Sequence, residues 1–351
     1  MPNEAAATAG SRRPVKRRAP LRTGEALGEM RILVLGGTSF VGRAIVERAL
    51  VGGADVTLFS RGQTNPELFP GAARRVGDRA SGNYSSLRSG GEWDAVVDVS
   101  GYVPRHVQQS ADSLRDGVGR YLFISTIMVH DVAGDHEGRL VRNEDAPRLP
   151  PLRDTERLTG ETYGPLKVAC EDEVFARFGA RATVVRPGIV AGPHDPSDRF
   201  TWWVRRAARG GRVVLPGRPV QPVQVVDVQD LAALVWQLLV DDRPGAFNAV
   251  GPAEPTTLAG LIEACALAAG ADVDIVPVSA RADTPQLPLV EASVAGQRLF
   301  RLSATRAREC GLPATPLVTT AAKVLAWDRR RGETPLTQGL TPEQEAELLS
   351  R

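Results

Sequence analysis

Tyr163 and Lys167 stand four residues apart, the spacing that puts two side chains on one face of a helix. An ammonium in that place favours phenolate over phenol and brings the tyrosine toward a range where it can accept a proton from an alcohol. A positively charged oxidised nicotinamide would act in the same direction. Pro165, between them, is compatible with a first helical turn. Alone, Tyr-x-x-x-Lys is common and reads first as a surface pair. Here it follows Ser125-Thr126 by one strand–helix crossover, in a chain that also carries a glycine turn. Tyr102, His130 and Glu161 are candidates for a further acid or base, the plain alternatives being a surface or packing role for Tyr102 and Glu161 and a histidine satisfied by hydrogen bonds for His130.

These residues need a scaffold, and the scaffold begins at Arg31. Ile32 to Leu35 form an unbroken apolar run, as in a parallel strand buried on both faces. The chain then turns through Gly36-Gly37-Thr38-Ser39-Phe40-Val41-Gly42 into a helix pattern, leaving backbone N–H groups at a helix N-terminus where a pyrophosphate can sit. Further strands are expected at Asp55–Ser60, Arg74–Val76, Asp94–Val99, Tyr121–Ser125 and Ala182–Val185. Helices are expected at Ser81–Arg88, from Pro104 and over 163–178. The alternation argues a doubly wound parallel sheet. Residues 131–160 are long and polar, with Pro147, Pro150 and Pro151. We read them as a substrate lid, with a plain surface insertion as the alternative.

Composition excludes several classes. The three cysteines are far apart, and the four histidines include no close pair, so neither a disulfide framework nor a metal centre is indicated. No stretch reaches transmembrane length. The net charge of +2 conceals an uneven distribution: residues 1–29 hold six basic and three acidic side chains, which leaves −1 for the rest. That body has no nucleic-acid signature. The extension is rich in Ala, Pro and Arg without apolar periodicity, and reads as disordered.

The glycine turn resembles the fingerprint of the extended short-chain dehydrogenase/reductases, the NAD-dependent epimerase/dehydratase family, with Ser39 in place of the middle glycine. The resemblance extends over about residues 30–270. Phe123-Ile-Ser-Thr-Ile-Met-Val-His130 resembles the segment bearing the family's catalytic hydroxyl, which it puts on Thr126 with Ser125 as runner-up. Tyr163-Gly-Pro-Leu-Lys-Val-Ala-Cys-Glu171 is similar to the catalytic helix, and Arg186-Pro-Gly to the family's Arg-Pro segment. Ile127 and Met128 replace the acid pair of the sugar 4,6-dehydratases, which argues against that reaction. Asp78 matches an acidic residue that contacts adenine, or else caps the following helix. Arg79, Ser100, Gly101 and Pro187 join Gly36–Gly42, Ser60, Arg61 and Lys167 as expected cofactor contacts. His194, Arg199 and Gln224 are the expected substrate contacts.

The resulting expectation is an α/β protein. Residues 30–190 form a Rossmann-type dinucleotide domain, and residues 191–351 a smaller region, mainly substrate-binding, with some elements returning to the core. The cofactor is NAD(P), tightly bound. Ser60-Arg61 lacks the acid that would accept from a ribose 2′-hydroxyl, which leans toward NADP. The expected substrate is a small polyhydroxylated molecule, in a cytoplasmic protein with neither nucleic-acid nor membrane partners. A homodimer is left open. The resemblance implies oxidation of a secondary alcohol, then epimerisation or elimination and hydride return. A simple ketone reductase and a dinucleotide- or RNA-binding protein on the same fold are the alternatives.

Overall fold

A computed structural model describes residues 30–88, 91–133, 142–279, 286–291 and 293–350. The basic extension 1–29 and part of the proposed lid, 134–141, lie outside the described residues. Thirteen strands follow in chain order: β1 Arg31–Leu35, β2 Asp55–Ser60, β3 Ala73–Val76, β4 Trp93–Asp98, β5 Val118–Ile124, β6 Ala182–Pro187, β7 Ile189–Ala191, β8 Gly211–Pro216, β9 Pro222–Val223, β10 Val225–Asp227, β11 Gly245–Ala249, β12 Thr256–Thr257 and β13 Val273–Val278. The helices are α1 Phe40–Val51, α2 Ser85–Arg88, α3 Pro104–Leu114, α4 Gly160–Phe178, α5 Arg199–Ala208, α6 Val228–Val240, α7 Leu258–Ala269, α8 Val294–Gln297, α9 Thr305–Glu309, α10 Leu317–Arg330 and α11 Pro342–Ser350.

Seven strands build one parallel sheet in the order β3-β2-β1-β4-β5-β6-β11. Strand β1 lies between β2 and β4, and its alternating side chains serve two layers. Ile32 and Val34 join a core with Ile45 and Val46 of α1 and Leu231 and Leu234 of α6. Leu33 and Leu35 face the opposite layer, with Val107 of α3 and Val174 of α4. Burial on both faces is why this strand has no polar position after Arg31, and each such side chain contributes on the order of 1.5–3 kcal/mol. Strand order reverses between β1 and β4, so the crevice at their carboxyl ends is the natural ligand site of such a sheet.

Residues beyond β6 serve two purposes. Helix α6 and strand β11 return to the sheet, while α5, α7, α10 and β8 close a separate core around Trp203. This second core forms the other side of the crevice.

Two helix starts differ from expectation. Helix α2 begins at Ser85 rather than Ser81, because Asp78 and Asn83 pair as an antiparallel bridge and the Asp78 carboxylate accepts from the Ala80 N–H at 3.0 Å. Helix α4 begins at Gly160, where Thr159 and Thr162 form a reciprocal capping box. Pro165 therefore sits beyond the first turn, inside the helix. The loop proposed as a lid is described only in part, at 131–133 and 142–160. None of its described residues lines the crevice. Asp131 N–H donates to Pro147 C=O at 2.9 Å and Leu149 N–H to Val129 C=O at 2.8 Å, while Arg148 pairs with Glu171 and Asp172 at 3.0 Å each. Arg153 reaches Glu173, and Arg105 of α3 holds Glu156 at 2.6 Å. These ion pairs strap residues 148–156 along α3 and α4.

Candidate active site

The glycine turn is built by exclusion. Gly36 has φ +93°, and a Cβ there would come within 2.9 Å of the Ser100 Cβ. A Cβ on Gly42 would lie 2.0 Å from the Gly36 carbonyl oxygen, so α1 rests directly on the turn. Gly37 points its hydrogen into Leu58 and Val46. Ser39, at the N-cap, gives no side-chain hydrogen bond to the helix, so the first N–H groups of α1 are left for a ligand. Gly36, Thr38, Ser39, Phe40 and Val41 line the crevice there. A cradle with no Cβ and an uncapped helix N-terminus fits the pyrophosphate of a dinucleotide.

At the end of β2, Ser60 Oγ accepts from Gly62 N–H at 3.2 Å. Arg61 is exposed, lines the crevice and has no polar partner among the described residues. Asp78 also lines it. Arg79 turns inward instead, donating to Asp98 at 2.5 and 2.8 Å and to Ser100 at 3.0 Å. Burial opposes ionisation of Asp98, yet the Arg79 guanidinium and the Tyr121 hydroxyl at 2.8 Å hold its carboxyl below the usual range. The expected cofactor contact at Arg79 is thus a guanidinium committed to the floor of the site.

The crevice, about 1350 Å³ in all, also takes in Ser100, Tyr102, Ser125, Thr126, Tyr163, Lys167 and Pro187. Thr126 follows β5 and caps a short 3-10 turn, accepting from Met128 N–H at 3.3 Å. Its hydroxyl shares the crevice with the Tyr163 phenol. Burial pushes that phenol up to about 12, Tyr102 beside it adds to the rise, and Thr126 and the Arg199 charge oppose it. Lys167 is buried, donating to the carbonyls of Gly101 at 2.7 Å and Ile124 at 2.8 Å, with Nζ 4.0 Å from the Phe123 ring centre. Burial lowers it to about 8. Gly101 thus contributes through its carbonyl. Ser125 lies against Glu171. That carboxyl is held low, against its burial, mainly by the paired Arg186 at 2.7 and 2.9 Å.

Other expected site residues are placed elsewhere. His130 is buried behind the site, its Nε2 3.0 Å from Asn248 Oδ1, and does not line the crevice. Glu161 is exposed on the first turn of α4, where its carboxylate accepts from the Thr159 hydroxyl at 2.7 Å. His194 meets the Trp327 ring edge-on, with centres 5.4 Å apart, and Gln224 exchanges hydrogen bonds with the Leu302 backbone. Arg199 does line the crevice. Sequence reasoning passed over Gln63 and Thr64, and also the far wall, made by Gln286–Glu291, Phe300 and Thr337–Gly339. The segment 286–291 carries no motif. Trp203 Nε1–H donates to Pro288 C=O at 2.7 Å and Gln221 to Leu289 C=O at 2.8 Å, contacts that only the tertiary fold creates.

Residues 103–250, which include Thr126, Tyr163 and Lys167, match the model of the NAD dependent epimerase/dehydratase family. Among solved structures, the chain is similar to UDP-N-acetylglucosamine 4-epimerase from Bacillus cereus, at 18% identity and a TM-score of 0.64 over 90% of this chain and 99% of that one. It is also similar to Thermus thermophilus UDP-glucose 4-epimerase in complex with NAD, at 20% identity and 0.63 over 86% and 99%. At such identities the likeness is one of fold. A curated relative, the Arabidopsis thaliana chloroplast stem-loop binding protein of 41 kDa b, is 27% identical over 265 residues, 70% of this chain and 65% of that protein. Another, the non-ribosomal peptide synthetase CmlP of Streptomyces venezuelae, is 28% identical over 228 residues, 60% of this chain and 23% of that one. The chain therefore spans less than two thirds of the length of either curated relative. Among the described residues, no helix is long and apolar enough to cross a membrane. The match to the NAD dependent epimerase/dehydratase family thus rests on residues 103–250, and the fold is the one those solved epimerases share.

Proposed function

We propose that the protein oxidises a secondary alcohol of a sugar, nucleoside or nucleotide-sugar-like substrate to a transient ketone, which is epimerised or undergoes elimination before it is reduced again. The observation that carries this reading is the convergence of Thr126, Tyr163 and Lys167 on one crevice beside the glycine turn. A bound NAD(P) supplies the hydride acceptor and donor. Tyr163 takes the hydroxyl proton, Thr126 orients the same oxygen, and Lys167 holds positive charge behind the phenol. The ketone acidifies its neighbouring C–H. With His130 and Glu161 off the crevice wall, Tyr102 is the remaining candidate of the three for the additional proton transfer. Arg61, free at the end of β2, favours NADP over NAD. A homodimer is compatible with this reading.

The test is turnover of UDP-glucose, UDP-N-acetylglucosamine and dTDP-glucose in deuterated water without added cofactor, run beside Tyr163→Phe. Product with deuterium on carbon, no net change in nicotinamide absorbance, and a loss of about 10²–10⁴ in rate for the variant are expected. Stoichiometric consumption of NADPH without carbon-bound deuterium would install a simple ketone reductase. The Arabidopsis relative's name supports a second reading, in which the same fold binds a stem-loop RNA. A gel-shift titration with and without residues 1–29 tests it, and an unshifted stem-loop removes it.

A further inference from the structure

Lys167 and Arg199 both line the crevice that takes in Tyr163, and they are held differently. Two of the three Lys167 ammonium protons go to the Gly101 and Ile124 carbonyls, beneath the floor of the crevice. Arg199, the first residue of α5, lines the crevice itself and is exposed. Its position is set from the interior. Asp195 is only 4% exposed, and its carboxylate accepts from the Ser197 N–H and hydroxyl, both at 2.9 Å. The Ser197 oxygen in turn accepts from Arg199 Nε at 3.2 Å. Asp198, the N-cap of α5, is tied to Arg331 at 2.9 Å, so the start of the helix is anchored to the end of α10. With Nε engaged, the two terminal nitrogens of Arg199 have no partner among the described residues. A buried acid, a serine and an anchored helix start thus converge on aiming one guanidinium into the crevice.

We propose that Arg199 is a second cation for Tyr163, aimed by the Asp195–Ser197 relay, and that it stabilises the phenolate from the open side of the crevice. The other groups that act on the phenol are Tyr102 after β4, Thr126 after β5 and Cys170 on α4, while Lys167 Nζ lies 5.8 Å from the Tyr102 ring centre. Of these, Tyr102 and Cys170 oppose ionisation. The Arg199 charge favours it, against the burial that raises the phenol. The division of labour has a chemical point. Lys167 releases its proton near pH 8, whereas a guanidinium keeps its charge throughout the working range, so Tyr163 retains a cationic neighbour in alkaline solution. The inference rests on the proposed role of Tyr163 for its meaning, but its test requires no turnover.

Tyr163 is replaced in the full chain by 3-nitrotyrosine, whose phenolate is read directly by visible absorbance. Its titration is then compared in the parent, Arg199→Ala, Arg199→Gln, Arg199→Lys and Ser197→Ala backgrounds. Loss of the guanidinium should raise the midpoint by roughly 0.5–1 pH unit, less than a buried partner would because Arg199 is exposed. Lysine should restore most of the difference, Ser197→Ala should give a smaller rise, and molar salt should shrink every shift. An unmoved midpoint in both neutral variants overturns the proposal. So does an equal shift in Arg199→Lys, or one that persists undiminished in molar salt, since either would mark a packing effect. A protein that turns over none of the nucleotide sugars refutes the proposed reaction and leaves this titration unaffected.

Discussion

Alkaline solution should stabilise this protein through Lys167. In the fold its side chain is 2% exposed and burial lowers it from 10.5 to about 8. The unfolded chain keeps that proton up to about the ordinary value. Between the two values the unfolded state binds more protons than the folded one, so stability rises with pH. At neutral pH the full cost of the buried ammonium is present. The gap between 10.5 and about 8 corresponds to ~3 kcal/mol, of which ~2.5 kcal/mol should be recovered between pH 7 and pH 10. Other groups titrate over the same range, so the quantity to measure is a difference. Urea unfolding of the parent and of Lys167→Met at pH 7, 8, 9 and 10 isolates it, because methionine carries no proton. The variant's own offset, from leaving the Gly101 and Ile124 carbonyls without their donor, does not change with pH. The parent-minus-variant stability should climb by 2–3 kcal/mol across the series. A flat difference, or one that falls, would refute the buried-cation argument.

Gly42→Ala should cost both stability and cofactor affinity, because the new methyl would meet the Gly36 carbonyl at 2.0 Å and displace the α1 N-terminus. Thermal unfolding with and without NAD(P) should show a lower Tm and a smaller ligand-induced rise; a normal rise would show that the helix position is not what the ligand reads. Arg61→Ala should weaken binding of NADP more than of NAD, measured by calorimetry, and equal losses would remove Arg61 from 2′-phosphate recognition.

What the sequence discloses is whatever depends on neighbours in the chain. The Ile32–Leu35 run, the glycines before α1 and the Tyr163–Lys167 spacing are local patterns, and the parallel sheet, the turn and the crevice follow from them. Arg79 was opaque because its nearest chain neighbours point to the cofactor, while its partner Asp98 lies 19 residues on, at the end of β4. In the loop 131–160 proline and charge were visible but the straps were not: Arg148 and Arg153 find their carboxylates at Asp172 and Glu173 of α4. Thr159 and Thr162 were a readable cap for α4, and recognising it would have put Glu161 on an exposed first turn. The wall at 286–291 has no local signature, since backbone carbonyls held by Trp203 and Gln221 define it.

The return of α6 and β11 to the sheet bears on how the chain matures as it leaves the ribosome. When residue 190 emerges, six strands of the sheet exist, but β6 has an open edge where β11 will pair through Gly245–Ala249. The α1 side also lacks its cover, because Leu231, Leu234 and Val235 have not been made and Gly52 awaits the indole of Trp236. Arg120 of β5 is still without Asp242, to which it later donates at 2.6 Å. The first six strands are thus complete in sequence some sixty residues before their sheet is complete in space, in an interval that leaves an apolar face and a strand edge open to other chains. Substitutions in α6, remote from the crevice, would accordingly lower the yield of folded protein before they altered anything the folded protein does.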